Sequence, residues 1–171
     1  MFTIDELGEN YIFPNPRFAS DEGLLAYGGD LSPNMLLSAY SKGIFPWFNE
    51  TDPILWWSPN PRLILLPTNF KTSKSLLKTI KSGKFEIKFD HDFAGVIKNC
   101  AVTPRFGQNG TWITSQMQEA YLELFKMGFA HSVETYLDGK LVGGLYGIAM
   151  GKGFFGESMF SHVGDASKVA L

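Results

Sequence analysis

The chain has 171 residues, 44% of them hydrophobic, a formal net charge of −2 and a pI near 5.9. This length fits one ordinary domain, or a small lobe with a larger one, and supplies a core of normal size. The acidic balance argues against a dominant nucleic-acid surface while leaving room for a local basic patch. Apolar runs such as LVGGLYGIAM at 141–150 fall far short of the roughly 20 residues of a bilayer span. The opening MFTIDELGEN is acidic where a signal peptide is basic, so no membrane is expected and the cytoplasm is the expected location. Cys100 is the single cysteine and is read as a small buried hydrophobe, and His91, His131 and His162 lack metal-ligand spacing, so no metal is expected.

In chain order, FPNPRFASDEGLLAYGGD is expected to be mostly turn and loop. LSPNMLLSAYSKG predicts a short helix with Ser32 as N-cap, Pro33 in the first turn and Gly43 as terminator. A second helix is expected at about 72–82, ending before Gly83, followed by the alternating strand KFEIKFD. Phe93, Val96, Ile97 and Cys100 fall at i, i+3, i+4, i+7, as do Met117, Ala120, Tyr121 and Leu124, the spacing of two amphipathic helices packed on a sheet. From 131 the pattern becomes HSVETYL, an Asp138-Gly139 turn, KLVGGLYGIAM, a Gly151-Lys152-Gly153 turn and FFGESMF, which predicts a three-strand antiparallel meander. A small N-terminal lobe of residues 1–62 and an α+β lobe of residues 63–171 are expected. DASKVAL opens like a helix, with Asp165 or Ser167 placed to cap it, and the sequence is read as ending mid-element.

Several chemistries lose ground at once. GESMF around Ser158 lacks the second glycine of a nucleophile elbow, and neither a Walker phosphate loop nor a G-x-G-x-x-G fingerprint occurs. Gly28 and Gly29 in YGGDLSP are read as the turn into the Ser32 helix. Glu157 stands in an otherwise apolar strand, where an unpaired charge is costly; it either pairs structurally with a lysine or does chemistry. Lys71, Lys74, Lys78 and Lys81, spaced 3, 4 and 3 apart, are expected on one helix face, with Leu76, Leu77 and Ile80 on the other. Such lysines form either a solvated face or, with Lys84 and Lys88, a track for a phosphate backbone. Trp47, Trp56 and Trp57 crowd the proline-broken segment 43–62, where they either stack on a nucleobase or plug the seam between the lobes. Adjacent residues of an extended segment face opposite ways, so one of Trp56 and Trp57 is expected in the core and the other toward a groove.

GLLAYGGDLSPNMLLSAYSKGIFPWF, PILWWSPNPR, TWIT, AHSVE, LVGGLYGIAMGKGFFGESMFS and ASKVAL resemble, in order and spacing, the leucyl/phenylalanyl-tRNA-protein transferases of bacteria. The resemblance covers most of the chain. It implies a small N-terminal lobe on a GNAT-type acyltransferase lobe, with a mixed sheet and flanking helices. It also implies an enzyme that takes leucine, phenylalanine or methionine from aminoacyl-tRNA and attaches it to proteins with an N-terminal arginine or lysine. The product enters the N-degron pathway of protein degradation. By position, the resemblance assigns Trp47 and Trp112 to the terminal adenosine, Leu145, Phe154 and Leu171 to the apolar aminoacyl pocket, and Glu157 to the active site with Ser158 beside it among the substrate-binding residues. Lys74, Lys78 and Lys81 fall where the family holds tRNA.

The ester is already activated, so peptide formation needs alignment and proton handling and no cofactor. A monomer is expected. The family's D-x-Q motif lies beyond the ASK helix and is absent from these 171 residues, so the chain is expected to be a truncated, impaired version of a longer enzyme. Two rivals differ in class: a coenzyme A dependent N-acetyltransferase, whose [RQ]-x-x-G-x-[GA] signature is missing, and a non-catalytic binder of tRNA ends or peptides.

Overall fold

A computed structural model describes residues 2–4, 12–104 and 111–171. The chain divides into two compact units, Met1–Ile64 with Thr114–Ala120, and Leu65–Ile113 with Tyr121–Leu171. The architecture is mixed α+β, with largely antiparallel sheets and flanking helices.

In the first unit, β1 (Phe2–Ile4), β2 (Leu24–Gly28), β3 (Phe45–Pro46) and β4 (Leu55–Trp57) form a sheet in the order β1-β2-β4-β3. β1 runs parallel to β2 and the other pairs are antiparallel. Helix α1 (Pro33–Tyr40) starts where the Ser32 hydroxyl accepts the Met35 N–H, and ends before Gly43, whose φ of 72° only glycine adopts freely. It buries Met35, Leu36, Ala39 and Tyr40. Gly28 and Gly29, at φ 95° and 72°, make the expected turn, and the Asp30 carboxylate accepts the Ser32 N–H at 2.8 Å. The stretch expected to be mostly loop is corrected here, because it contains β2. Its ladder partners, Leu55–Trp57, lie some thirty residues downstream, and no local pattern reveals them.

The second unit holds helix α2 (Lys74–Lys81), strand β5 (Glu86–Phe89), helix α3 (Phe93–Val102), the later turns of helix α4 (Ser115–Lys126), strands β6 (Ala130–Leu137), β7 (Lys140–Met150) and β8 (Gly153–Ser161), and helix α5 (Ala166–Ala170). Its sheet runs β5-β6-β7-β8, antiparallel throughout. Asp138 and Gly139, at φ 50° and 72°, close the β6–β7 hairpin with the backbone sign that a tight two-residue turn requires. The α3 pattern holds: Phe93, Val96, Ile97 and Cys100 are buried, and the Asp92 carboxylate caps the Gly95 N–H.

Alternation along β7 gives the sheet two different faces. Gly144 lies under Val96 of α3, and Tyr146 packs edge-on against Phe93 and Tyr121, with ring centroids 5.8 and 5.6 Å apart. On the opposite face, a Cβ at Gly143 would stand 2.6 Å from that of Ala166, so α5 seats directly on the strand backbone. The Thr135 hydroxyl donates to the Ala166 carbonyl at 3.0 Å, fixing the start of α5.

Two helix expectations need correcting. In α2 only Leu76 is buried, whereas Leu77 and Ile80 are exposed, and Lys71 precedes the helix. Eight residues form little more than two turns, so a single buried leucine suffices to dock them. Asp165 does not cap α5 with its side chain; it takes a left-handed φ of 69° and accepts instead from the Thr79 hydroxyl at 3.1 Å and Lys168 at 3.4 Å.

Candidate functional site

Strand β8 breaks its pairing with β7 at one place. Tyr146 pairs with Ser158 and Gly147 with Gly156, which leaves Glu157 as the extra residue of a β-bulge. Bulges re-aim side chains, and here the Glu157 carboxyl receives the hydroxyl of Tyr121 at 3.2 Å. Tyr121 is fully buried against Tyr146, so a rigid phenol holds the carboxyl. Sequence periodicity marks Tyr121 only as core; its role as a partner of Glu157 is visible once the bulge is known. Glu157 and Ser158 both lie opposite Tyr146.

The residues on the α5 face have a different character. Leu145 pairs with Met159, Gly147 with Gly156, and Ala149 with Phe154, so these six share one face. Leu145 is buried, whereas Phe154 is 51% and Met159 43% exposed. The Phe154 ring lies over Gly147, where an added Cβ would meet ring atoms at 2.6 Å. The outcome is an apolar patch of Leu145, Met159 and Phe154 around glycine backbone, with the Phe154 ring over Gly147. Met159 is a residue of this face that the sequence reading missed; plain alternation from Phe154 or from Glu157 does not place it there, because the bulge shifts the faces between Gly156 and Ser158. Leu171 closes α5 at 58% exposure, on the helix seated on this same face. The register therefore groups Leu145 with Phe154, and separately groups Glu157 with Ser158.

Lys74, Lys78 and Lys81 are exposed on α2 at i, i+4 and i+7, which sets three cations along one side of a helix. Trp47 belongs to the first unit. It is 47% exposed, its carbonyl accepts the Trp57 indole N–H at 2.6 Å, and the two rings meet edge-on at 5.5 Å. Trp56 is the member of the adjacent pair that enters the core, at 0% exposure, and Trp57 stays half-buried. Trp112, half-buried, stands in the segment leading to α4.

A second polar group sits where AHSVE crosses the sheet. Glu134 is fully buried and accepts from the Ser132 hydroxyl at 2.5 Å and the His91 N–H at 3.2 Å. Asp90 accepts the Ser132 N–H at 2.8 Å and meets His131 Nδ1 at 2.8 Å. These bonds tie β6 to the turn that enters α3. Burial first, then Asp92, Glu134 and Glu86, raise the pKa of the neighbouring Tyr136 hydroxyl. Among the described residues, no cluster of histidine, cysteine or carboxylate side chains could hold a metal ion, and no helix is long and apolar enough to cross a membrane.

Chemically, one unit thus offers an exposed apolar patch, a phenol-held carboxyl and a cationic helix. Comparison with known proteins gives this combination its class. Residues 64–171 match the family model described as leucyl/phenylalanyl-tRNA protein transferase, and residues 29–60 match that of its N-terminal domain. The chain is 56% identical over 170 residues to the leucyl/phenylalanyl-tRNA–protein transferase of Dechloromonas aromatica, covering 98% of this chain and 73% of that protein. It is 56% identical to the enzyme of that name from Thermodesulfovibrio yellowstonii, covering 96% and 67% of the two chains, and 58% identical to that of Solidesulfovibrio magneticus, covering 94% and 65%. The chain belongs to the leucyl/phenylalanyl-tRNA protein transferase family, a family of aminoacyltransferases. It spans between 65% and 73% of the length of these three relatives.

Proposed function

We propose that the protein transfers leucine or phenylalanine, and also methionine, from aminoacyl-tRNA to the α-amine of an N-terminal arginine or lysine on acceptor proteins. The acceptors are thereby marked for degradation in the cytoplasm. The observation that carries this reading is family membership over residues 29–60 and 64–171, with 56% identity to one relative over 98% of the chain. The exposed apolar side chains of Phe154 and Met159 beside Leu145 support it, because each methylene buried against them contributes about 0.8 kcal/mol.

In this reading an N-terminal lobe of residues 1–62 precedes a GNAT-type lobe of residues 63–171, and the enzyme works as a monomer. Lys74, Lys78 and Lys81 hold the tRNA backbone. In the second unit Trp112 stacks on the terminal adenosine, Leu145, Phe154 and Leu171 receive the aminoacyl side chain, and Ser158 lies beside the substrate; in the first unit Trp47 is a tRNA-contacting aromatic residue. The acceptor nitrogen attacks the ester carbonyl carbon, the new C–N bond forms, the C–O bond to the ribose breaks, and the nitrogen's proton is passed to the departing ribose oxygen. A free α-amine has a pKa of roughly 7.7–8.0, so a useful fraction is neutral near pH 7 without a strong base. Glu157, held by Tyr121 on the face away from Leu145 and Phe154, orients the acceptor's positive charge at the β8 edge of the sheet.

The tRNA arm is tested by measuring retention of leucyl-tRNA over a series of salt concentrations. The Lys74→Ala, Lys78→Ala double variant is expected to bind more weakly for every tRNA and to flatten the slope of log affinity against log salt by about one per lysine. An unchanged slope would mean that α2 does not track phosphates.

A further inference from the structure

Four large aliphatic residues in succession, Leu63, Ile64, Leu65 and Leu66, are exposed, from 51% at Leu66 to 95% at Leu63. Scattered exposed aliphatic residues are ordinary, whereas a run of four is unfavourable in a solvated loop unless something binds it. No helix or strand includes the run, and Leu66 has extended backbone at φ −86° and ψ 128°. Among the described residues, the backbone groups of Leu63, Ile64 and Leu65 make no hydrogen bond. Successive side chains of an extended segment point to opposite sides, so both sides here carry large aliphatic groups. A continuous aliphatic run of this kind is the pattern of a strand buried on both faces, yet this one has neither ladder nor cover.

Three observations narrow what covers it. The matched stretch makes up 73%, 67% and 65% of the three relatives, so each of them carries further chain. Helix α2, which follows the run closely in sequence, is tied to α5 by the Thr79 hydroxyl donating to the Asp165 carboxylate at 3.1 Å. Leu77 and Ile80 on α2 and Leu171 after α5 are exposed as well, so chain following α5 sets out beside further uncovered apolar surface. A second copy fits less well. Lys74, Lys78 and Lys81 are exposed on the same helix as Leu77 and Ile80, and pairing two copies through it would bring like charges together.

We propose that residues 63–66 are an inner strand of the complete protein, finished by an apolar β-strand from the part of the protein that follows α5. That strand takes up the unpaired backbone of the run, and the chain beside it covers Leu77 and Ile80 while leaving the lysines of α2 open. The inference is independent of the transfer reaction.

The test uses the protein expressed from its complete reading frame. Hydrogen exchange is followed across residues 63–66 in the unsubstituted protein. In separate variants p-benzoylphenylalanine replaces Ile64 or Leu77, and after irradiation the cross-linked peptides are identified by mass spectrometry. The amides of the run are expected to exchange at least about a hundredfold more slowly than those of an unstructured peptide. Both probes are expected to cross-link to residues beyond 171. Leu77 lies on a helix surface, so its variant reports the occupant even where the Ile64 variant fails to fold. Exchange at the rate of an unstructured peptide overturns the proposal. Cross-links confined to residues 1–171, cross-links between two copies, no cross-link from either folded variant, or a reading frame that stops at Leu171 overturn it equally.

Discussion

Replacing Trp56 by alanine is expected to destabilise the protein by about 3–5 kcal/mol, the range for deleting a fully buried large aromatic side chain. The indole is completely enclosed, meets the Phe13 ring edge-on at 4.8 Å and donates its N–H to the Gly28 carbonyl at 2.9 Å. Its removal opens a cavity and also strands that carbonyl at the turn between β2 and α1. Chemical denaturation of wild type, Trp56→Ala and Trp57→Ala provides the check. Trp57 remains half-buried, so its variant is expected to lose less than half as much. Equal losses would contradict the division of the pair into one core residue and one partly exposed one.

The next largest effect is expected at Glu134. Its carboxyl accepts at both oxygens, from Ser132 and from His91, in a fully buried position. In Glu134→Ala a buried hydroxyl and a backbone N–H lose their acceptor together, each worth about 1–3 kcal/mol when left unpaired. A destabilisation of about 3 kcal/mol is expected, and Glu134→Gln, which keeps one acceptor oxygen, should lose less. Hydrogen exchange locates the damage: protection should fall first in β6 and in the turn entering α3. Uniform loss across the sheet, or none, would show that the carboxyl does not tie these elements together.

Much of this architecture is legible in the sequence because its signals are local. Ser32 and Ser73 cap helices that end before Gly43 and Gly83. Asp138-Gly139 closes a hairpin between two strands that alternate, and the four-residue patterns of α3 and α4 are buried as their spacing implies. What the sequence hides is set by distant partners. β2 is a five-residue strand whose ladder lies on β4, and β3 has two residues, one of them proline. Neither length nor alternation distinguishes such pieces from loop. The Leu77 and Ile80 side chains follow a helical period yet stay exposed, because periodicity states which face is apolar and not whether anything covers it. The bulge at Glu157 is only hinted at by the glycine before it, since a strand glycine often marks a bulge; cross-strand register is what locates the extra residue. For the site, residue types and order led to Glu157, Leu145 and Phe154, whereas Tyr121 emerges from its hydrogen bond and Met159 from strand pairing.

The central claim is that a peptide bond forms between an apolar amino acid carried by tRNA and a basic N-terminal residue. Its most direct test is mass spectrometry of an N-terminal arginine peptide incubated with leucyl-tRNA and the protein from its complete reading frame, with no nucleotide triphosphate added. A peptide heavier by one leucine residue at its N-terminus is the predicted product, and a blocked α-amine should prevent it. An unmodified peptide, with leucyl-tRNA bound but never consumed beyond spontaneous hydrolysis, would contradict the account.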